Sequence, residues 1–228
     1  MCKDVGWIYE LNEYPHKCGC YNKYLEVENN KKIKELFSEA YSCYNIDSFI
    51  ADTSYQKAMK KKVKKYIETT GINSILLLGQ SGSGKTHLAV AIAKVFLERG
   101  AWIELMPYTE GITRIKQDVL DKEKYDATMY KYKNCDYLII DDFLKGTVKN
   151  RMSNEKDFKY VYEIIDCRYK YRKPVIITSE FFIDEIQDLD EAIAGRLKEM
   201  STQNDNNFII QIQREKERNY RMRGMEKL

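Results

Sequence analysis

Gly79-Gln80-Ser81-Gly82-Ser83-Gly84-Lys85-Thr86 lies between an apolar run, Ser74-Ile75-Leu76-Leu77-Leu78, and the helical pattern Leu88-Ala89-Val90-Ala91-Ile92-Ala93. A short apolar run, a glycine turn and a helix in that order predict a buried strand that turns into a helix N-terminus. Glycines let backbone N–H groups wrap a phosphate, and the helix presents its positive end to it. Lys85 has the reach for the β and γ phosphates, and Thr86 offers a hydroxyl to Mg²⁺. Gly79, Gln80, Ser81, Gly82, Ser83, Gly84, Lys85 and Thr86 are thus read as a phosphate-binding loop for a nucleoside triphosphate. The competing reading is an ordinary glycine turn between a strand and a helix.

On either side of this loop, short apolar runs alternate with longer helical patterns. The runs Ile75 to Leu78, Trp102 to Met106, Tyr137 to Ile140, Val175 to Thr178 and Phe208 to Ile212 predict strands. Lys85 to Glu98, Thr109 to Leu120, Lys122 to Tyr132, Glu155 to Tyr171 and Asp190 to Met200 predict helices. The alternation predicts an α/β domain with a mainly parallel, five-stranded sheet flanked by helices. Tyr137-Leu138-Ile139-Ile140-Asp141-Asp142 ends a buried strand in two acids. Asp141 suits Mg²⁺, held through its water shell, and Asp142 suits the orientation of an attacking water. Enough chain separates the loop from these acids for a helix, a strand and a helix, which places Trp102 to Met106 away from the loop strand. Lys173-Pro174-Val175-Ile176-Ile177-Thr178-Ser179-Glu180 ends in polar side chains that either reach the γ-phosphate or simply run out into solvent.

The chain has 228 residues, enough for one large domain and a small appendage. Its 38 Lys and Arg against 35 Asp and Glu leave a net charge of +3, so any nucleic-acid surface is local. No run of eighteen apolar residues and no secretory leader are present, which points to a cytoplasmic protein with no membrane partner. Residues 1 to about 30 show no helical period, and Lys31 to Tyr41 reads as a short helix. A further helix is predicted from Thr53, where Thr-Ser-Tyr-Gln matches a capping box, to about Thr69. Its lysines, Lys57, Lys60, Lys61, Lys62, Lys64 and Lys65, are most simply its solvated face. Among the six cysteines only Cys18 and Cys20 are close in sequence. With Cys2 and His16 they make a Cys₃His set suited to tetrahedral zinc, or they are free thiols in a reducing compartment.

Taken as a set, GQSGSGKTHLAVAIA, YLIIDDF, Glu163 to Tyr169 leading into KPVIITSE, Ala194-Gly195-Arg196-Leu197 and Asn219-Tyr220-Arg221 resemble the AAA+ replicative-helicase loaders of the DnaC/DnaI type, with the transposition helper IstB a close relative. The resemblance runs from about Tyr44 to the C-terminus. It implies an AAA+ ATPase domain over residues 44–228, preceded by a helicase-binding module over residues 1–43 that carries the candidate zinc ligands. It implies ATP and Mg²⁺ as ligands, and a hexameric replicative helicase and single-stranded DNA as partners. Assembly into a helix or ring is implied too, with Arg196 offered across the subunit interface to a neighbour's γ-phosphate. Arg221 matches the position that touches nucleotide within its own subunit, and Thr178 or Ser179 the polar sensor. Single-stranded DNA would follow Thr109 to Leu120, with Arg114, Lys116 and a stacking Tyr108; Arg168 is a further interface candidate. Two departures from the pattern matter: Glu180 in place of Asn would repel a phosphate, which leaves the sensor to Thr178 or Ser179, and Asp142 in place of the longer Glu implies slow hydrolysis. Three other readings remain: a transposition helper acting on duplex DNA, a small nucleotide kinase, and a nucleotide-stabilised adaptor that does not hydrolyse.

Overall fold

The computed structural model describes residues 7–8, 16–17, 28, 31–37, 39–69, 72–146, 155–203, 205–215 and 218–220. An antiparallel ribbon of two-residue strands, β1 (Trp7–Ile8) and β2 (His16–Lys17), comes first. Helix α1 (Ser54–Glu68) follows, opened by the expected capping box: the Gln56 N–H donates to Thr53 Oγ1, and the Gln56 side chain accepts from the Thr53 N–H.

The α/β body then runs β3 (Ile75–Gly79), α2 (Lys85–Glu98), β4 (Ile103–Pro107), α3 (Tyr108–Asp118), α4 (Lys122–Asn134) and β5 (Tyr137–Phe143). After it come α5 (Glu155–Lys170), β6 (Val175–Ser179), α6 (Ile183–Leu189), α7 (Glu191–Ser201) and β7 (Ile209–Ile212). Five strands pair in the order β4-β5-β6-β3-β7, all parallel. The strand after the first crossover, β4, therefore stands at an edge, separated from β3 by β5 and β6, as the spacing of the two motifs predicts.

A parallel sheet covered on both faces needs apolar residues at every position, and Ile75 to Leu78 are fully buried. Alternate side chains feed two cores. Leu76, Leu78, Leu138, Ile140, Val175 and Ile177 face the layer of α3 to α7. Ile75, Leu77, Ile139, Ile176, Ile210 and Ile212 face α1 and α2. Phe37 and Phe49 join this second core, and Lys94 Nζ on α2 donates to the carbonyls of Tyr41 (2.9 Å) and Ser42 (2.6 Å). The segment before residue 44 thus packs directly on the ATPase body.

Two elements differ from expectation. Helix α6 was not anticipated, because seven residues with Ile183 and Ile186 one turn apart carry too little periodicity. Its first turn is fixed by Glu185, whose carboxylate accepts from the Phe182 N–H at 2.7 Å. Strand β5 runs past Ile140 to Phe143, with its register to β6 broken between Ile140 and Phe143. No helix among the described residues is long and apolar enough to cross a membrane.

Candidate active site

The loop between β3 and α2 is shaped by three left-handed glycines, Gly79 (φ 100°), Gly82 (φ 69°) and Gly84 (φ 93°). A Cβ on Gly79 would stand 2.1 Å from the Ile212 carbonyl oxygen, and one on Gly82 2.0 Å from Asn219 Oδ1. Space as well as backbone angle therefore demands glycine at Gly79, where the obstacle is backbone, whereas at Gly82 the backbone angle makes the demand and the Asn219 side chain could give way. Lys85 is buried, and its ammonium donates to the carbonyls of Gly79 (2.9 Å) and Gln80 (2.7 Å), so the cation is held inside the loop.

Two neighbouring strands complete the polar cluster. Thr86 Oγ1 donates to Asp141 Oδ1 at 3.0 Å, and Thr178 Oγ1, from β6, donates to the same oxygen at 2.6 Å. Burial pushes the Asp141 carboxyl upward, against the hydrogen bonds from Thr178 and Thr86 that pull it down. Thr178 Oγ1 in turn accepts from the Asp142 N–H at 2.9 Å. Asp142 lies at the break in register with a left-handed φ of 54°, and its carboxylate pairs with Lys145 Nζ at 2.6 Å. The structure thus brings Thr86, Asp141, Asp142 and Thr178 together. Ser179 is turned away: its hydroxyl donates to the Phe143 carbonyl at 2.7 Å and accepts from the Phe181 N–H at 3.1 Å.

A cavity of 310 Å³ opens beside the loop, walled by Ser81 to His87, Asp142, Lys145, Glu180, Tyr220 and the segment Tyr44 to Ile50. That segment is locked to α2 by His87, whose ring stacks on Tyr44 (centroids 4.3 Å apart, planes 4° apart) and meets Phe49 edge-on at 5.4 Å. Imidazole Nε2 lies 2.9 Å from the Asn45 carbonyl and 3.2 Å from Ser48 Oγ. Burial, foremost, lowers the His87 pKa. The Tyr220 N–H closes the other side by donating to the Gly82 carbonyl at 2.9 Å. Tyr44, Ser48, Phe49, His87, Lys145 and Tyr220 escaped the sequence reading. Lys145, three residues after the second acid, His87, next to Thr86, and Tyr220, next to Arg221 in the C-terminal motif, stood close enough to a motif to be found.

The remaining candidates lie elsewhere. Arg196 on α7 does not line this cavity. Its guanidinium binds Asp166 on α5 through Nε (3.0 Å) and an Nη (2.9 Å), reaches the Tyr162 hydroxyl (2.9 Å) and stacks over the Tyr162 ring. Arg168 is not at an interface: it is fully buried and donates to the carbonyls of Tyr132, Cys135, Asp136 and Pro174. Tyr108 is not a stacking platform either, because it is 1% exposed and packs edge-on against Phe143. Beside it, Lys116 is paired with Asp157, and Arg114 stays exposed near Asp118. Arg221, Cys2, Cys18 and Cys20 and the side chain of His16 lie outside the described residues. Among the described residues no three metal-ligating side chains converge.

Left-handed glycines around a buried lysine suit a triphosphate, and the paired oxygens of Thr86 and Asp141 suit a hard cation. A loop of this kind on β3, with acids on β5 beyond an intervening β6, defines a P-loop ATPase of the AAA+ class. The sequence matches the family described as the bacterial DnaA ATPase domain over residues 41–203, and the chain belongs to that family. It therefore carries an AAA+ ATPase domain of that family. It is 30% identical over 194 residues to the uncharacterised protein YqaM of Bacillus subtilis (strain 168), covering 79% of this chain and 61% of that one. Its fold is similar to that of the DnaC helicase loader, with a TM-score of 0.65 and 21% identity over 77% of this chain and 99% of that one. It also resembles the replication initiator DnaA bound to AMPPCP and single-stranded DNA, with a TM-score of 0.60 and 20% identity over 78% of this chain and 50% of that one. The chain thus spans less than two thirds of the length of YqaM and half of that initiator.

Proposed function

We propose that this protein is an ATP-dependent loader of a hexameric replicative helicase. It binds ATP and Mg²⁺, assembles on single-stranded DNA in the cytoplasm and hydrolyses ATP slowly until assembled. The observation that carries the reading is a composite site. Lys85, Thr86, Asp141 and Thr178 converge beside the cavity, whereas Arg196 stands outside it on α7, where it serves a neighbour's nucleotide rather than its own.

The glycine loop cradles the phosphates, and Lys85 exchanges its carbonyl partners for phosphate oxygens. Thr86 and Asp141 would hold Mg²⁺, which when bound would supply positive charge against the phosphates. Asp142 orients the attacking water, and Thr178, already bonded to Asp141 and to the Asp142 N–H, keeps the two acids in register. Arg221 is assigned to the nucleotide of its own subunit. Asp166 and Tyr162 position Arg196 for the next subunit. Residues 1–43 form the helicase-binding module and residues 44–228 the ATPase domain.

The test is a pull-down with the cognate replicative helicase, with and without ATP. Retention of the helicase through residues 1–43 supports the loader; no contact in either condition rules it out.

A further inference from the structure

Helix α1 carries six lysines, and its single acid is the last residue, Glu68. Lys57, Lys60, Lys61, Lys64 and Lys65 recur at three- and four-residue spacing, so they share one face. Together they flank a shallow groove of 570 Å³ on the protein surface. Lys57, Lys61, Lys64 and Lys65 are exposed, and Lys60 is partly so. A solvated helix face ordinarily alternates charge, each lysine finding a carboxylate one turn away. Here the pairs Lys57/Lys61, Lys60/Lys64 and Lys61/Lys65 are like-charged, and the helix's one acid, Glu68 at the end of the groove, stands one turn after Lys64 and Lys65 alone. Among the described residues no carboxylate forms a salt bridge with any of the five. The sixth, Lys62, turns away to donate to the Ile209 carbonyl at 2.9 Å; burial, then the charge of Lys65, lowers its pKa.

Such a row opposes its own helix unless an anion of matching charge density lies against it. We propose that the lysine face of α1 binds the phosphate backbone of duplex DNA without reading its sequence. From Lys57 to Lys65 the row extends about 12 Å along the helix axis. Duplex DNA presents one charge per roughly 1.7 Å of its axis, so the row faces several phosphates at once. Single strands are gripped by charge together with aromatic stacking, and this face has no exposed ring. The exposed rings among the described residues, Trp102, Tyr130, Tyr162, Tyr171 and Tyr220, all lie outside α1. Lys60 joins the face to the nucleotide cavity: its ammonium donates to the carbonyls of Asp47 (3.4 Å) and Phe49 (3.2 Å), and the Phe49 ring lies under Gly84. The proposal goes beyond helicase loading and does not depend on it.

The experiment compares the full chain with a Lys57→Gln/Lys61→Gln/Lys64→Gln/Lys65→Gln variant. Each is titrated with a labelled duplex of about 20 base pairs at salt concentrations from roughly 50 to 200 mM. The variant should bind more than tenfold more weakly at low salt. Its slope of log affinity against log salt should be shallower by about 0.9 for each lysine that touches a phosphate. Binding of a fluorescent ATP analogue and the thermal midpoint report the fold, and the matching Lys→Arg variant should retain duplex affinity. Unchanged duplex affinity and slope would overturn the proposal. So would a loss confined to single-stranded DNA or to anionic vesicles, or an equal loss in the Lys→Arg variant.

Discussion

Asp142 is held by two opposite demands. Its N–H is fixed by Thr178, its backbone is bent into the left-handed region, and its carboxylate is turned toward Lys145 and the cavity. Under the proposed function, that arrangement leaves the Asp142 carboxylate at the cavity wall to orient the attacking water. Asp142→Asn should therefore reduce single-turnover ATP hydrolysis by about 10² to 10⁴-fold in the presence of DNA and partner, while a binding titration finds ATP affinity little changed. Equal hydrolysis by both proteins would remove Asp142 from the chemistry. His87 gives a second, independent prediction. Its folded pKa lies below the ordinary 6.5, so the unfolded chain takes up the proton first as pH falls. This group's contribution to stability is complete above about pH 6.5 and is lost progressively as pH falls from there toward the folded value. A His87→Asn variant should show a flatter thermal midpoint between about pH 6.5 and 5.5 than the parent; an unchanged slope would contradict the assignment.

The sheet and the helices explain which features the sequence disclosed. Strand β3, helix α2 and the start of β5 were legible because an apolar run, a glycine turn and terminal acids each have one physical cause that is local in sequence. Trp102 to Met106 could be placed away from β3 because the intervening length required a crossover. The remainder depended on contacts far apart in the chain. Nothing around Tyr108 marks it as core, and its burial comes from the core it joins, where the Phe143 ring, delivered by β5, packs edge-on against it. Arg168 reads as a surface arginine on a helix, yet α5 drives it between the starts of β5 and β6. There it supplies donors to the carbonyls of Tyr132, Cys135, Asp136 and Pro174 where the helical and strand ladders end. Arg168→Leu leaves those carbonyls without that donor and should cost at least about 3 kcal/mol. For a chain of this size that is a drop of roughly 6 to 12 °C in thermal midpoint by calorimetry. A shift under a few degrees would mean that water replaces the guanidinium.

In the whole molecule, Arg196 does not line the cavity beside the phosphate loop and is bound to Asp166; under the proposed function a neighbouring subunit's arginine would complete each site. Mixing subunits tests this directly. Lys85→Ala and Arg196→Ala proteins should each hydrolyse ATP at least tenfold more slowly than the parent, since a trans-acting arginine is worth about 10³ to 10⁵ in rate. Their mixture should regain part of the activity, because an intact loop then meets an intact arginine; no recovery would return Arg196 to the Asp166 pair in which it is seen. The charge of the chain, only +3 overall, is likewise divided, with the lysines of α1 gathered on one helix while Lys116 on α3 is already paired with Asp157. The central claim is that ATP held by the loop at Gly79 to Thr86 drives delivery of the helicase. The most direct measurement is transfer of the cognate hexameric helicase onto single-stranded DNA, followed by its unwinding activity, with parent and Lys85→Ala proteins in ATP and Mg²⁺. Delivery by the parent and none by Lys85→Ala is the predicted result; equal delivery by both, or by neither, would contradict it.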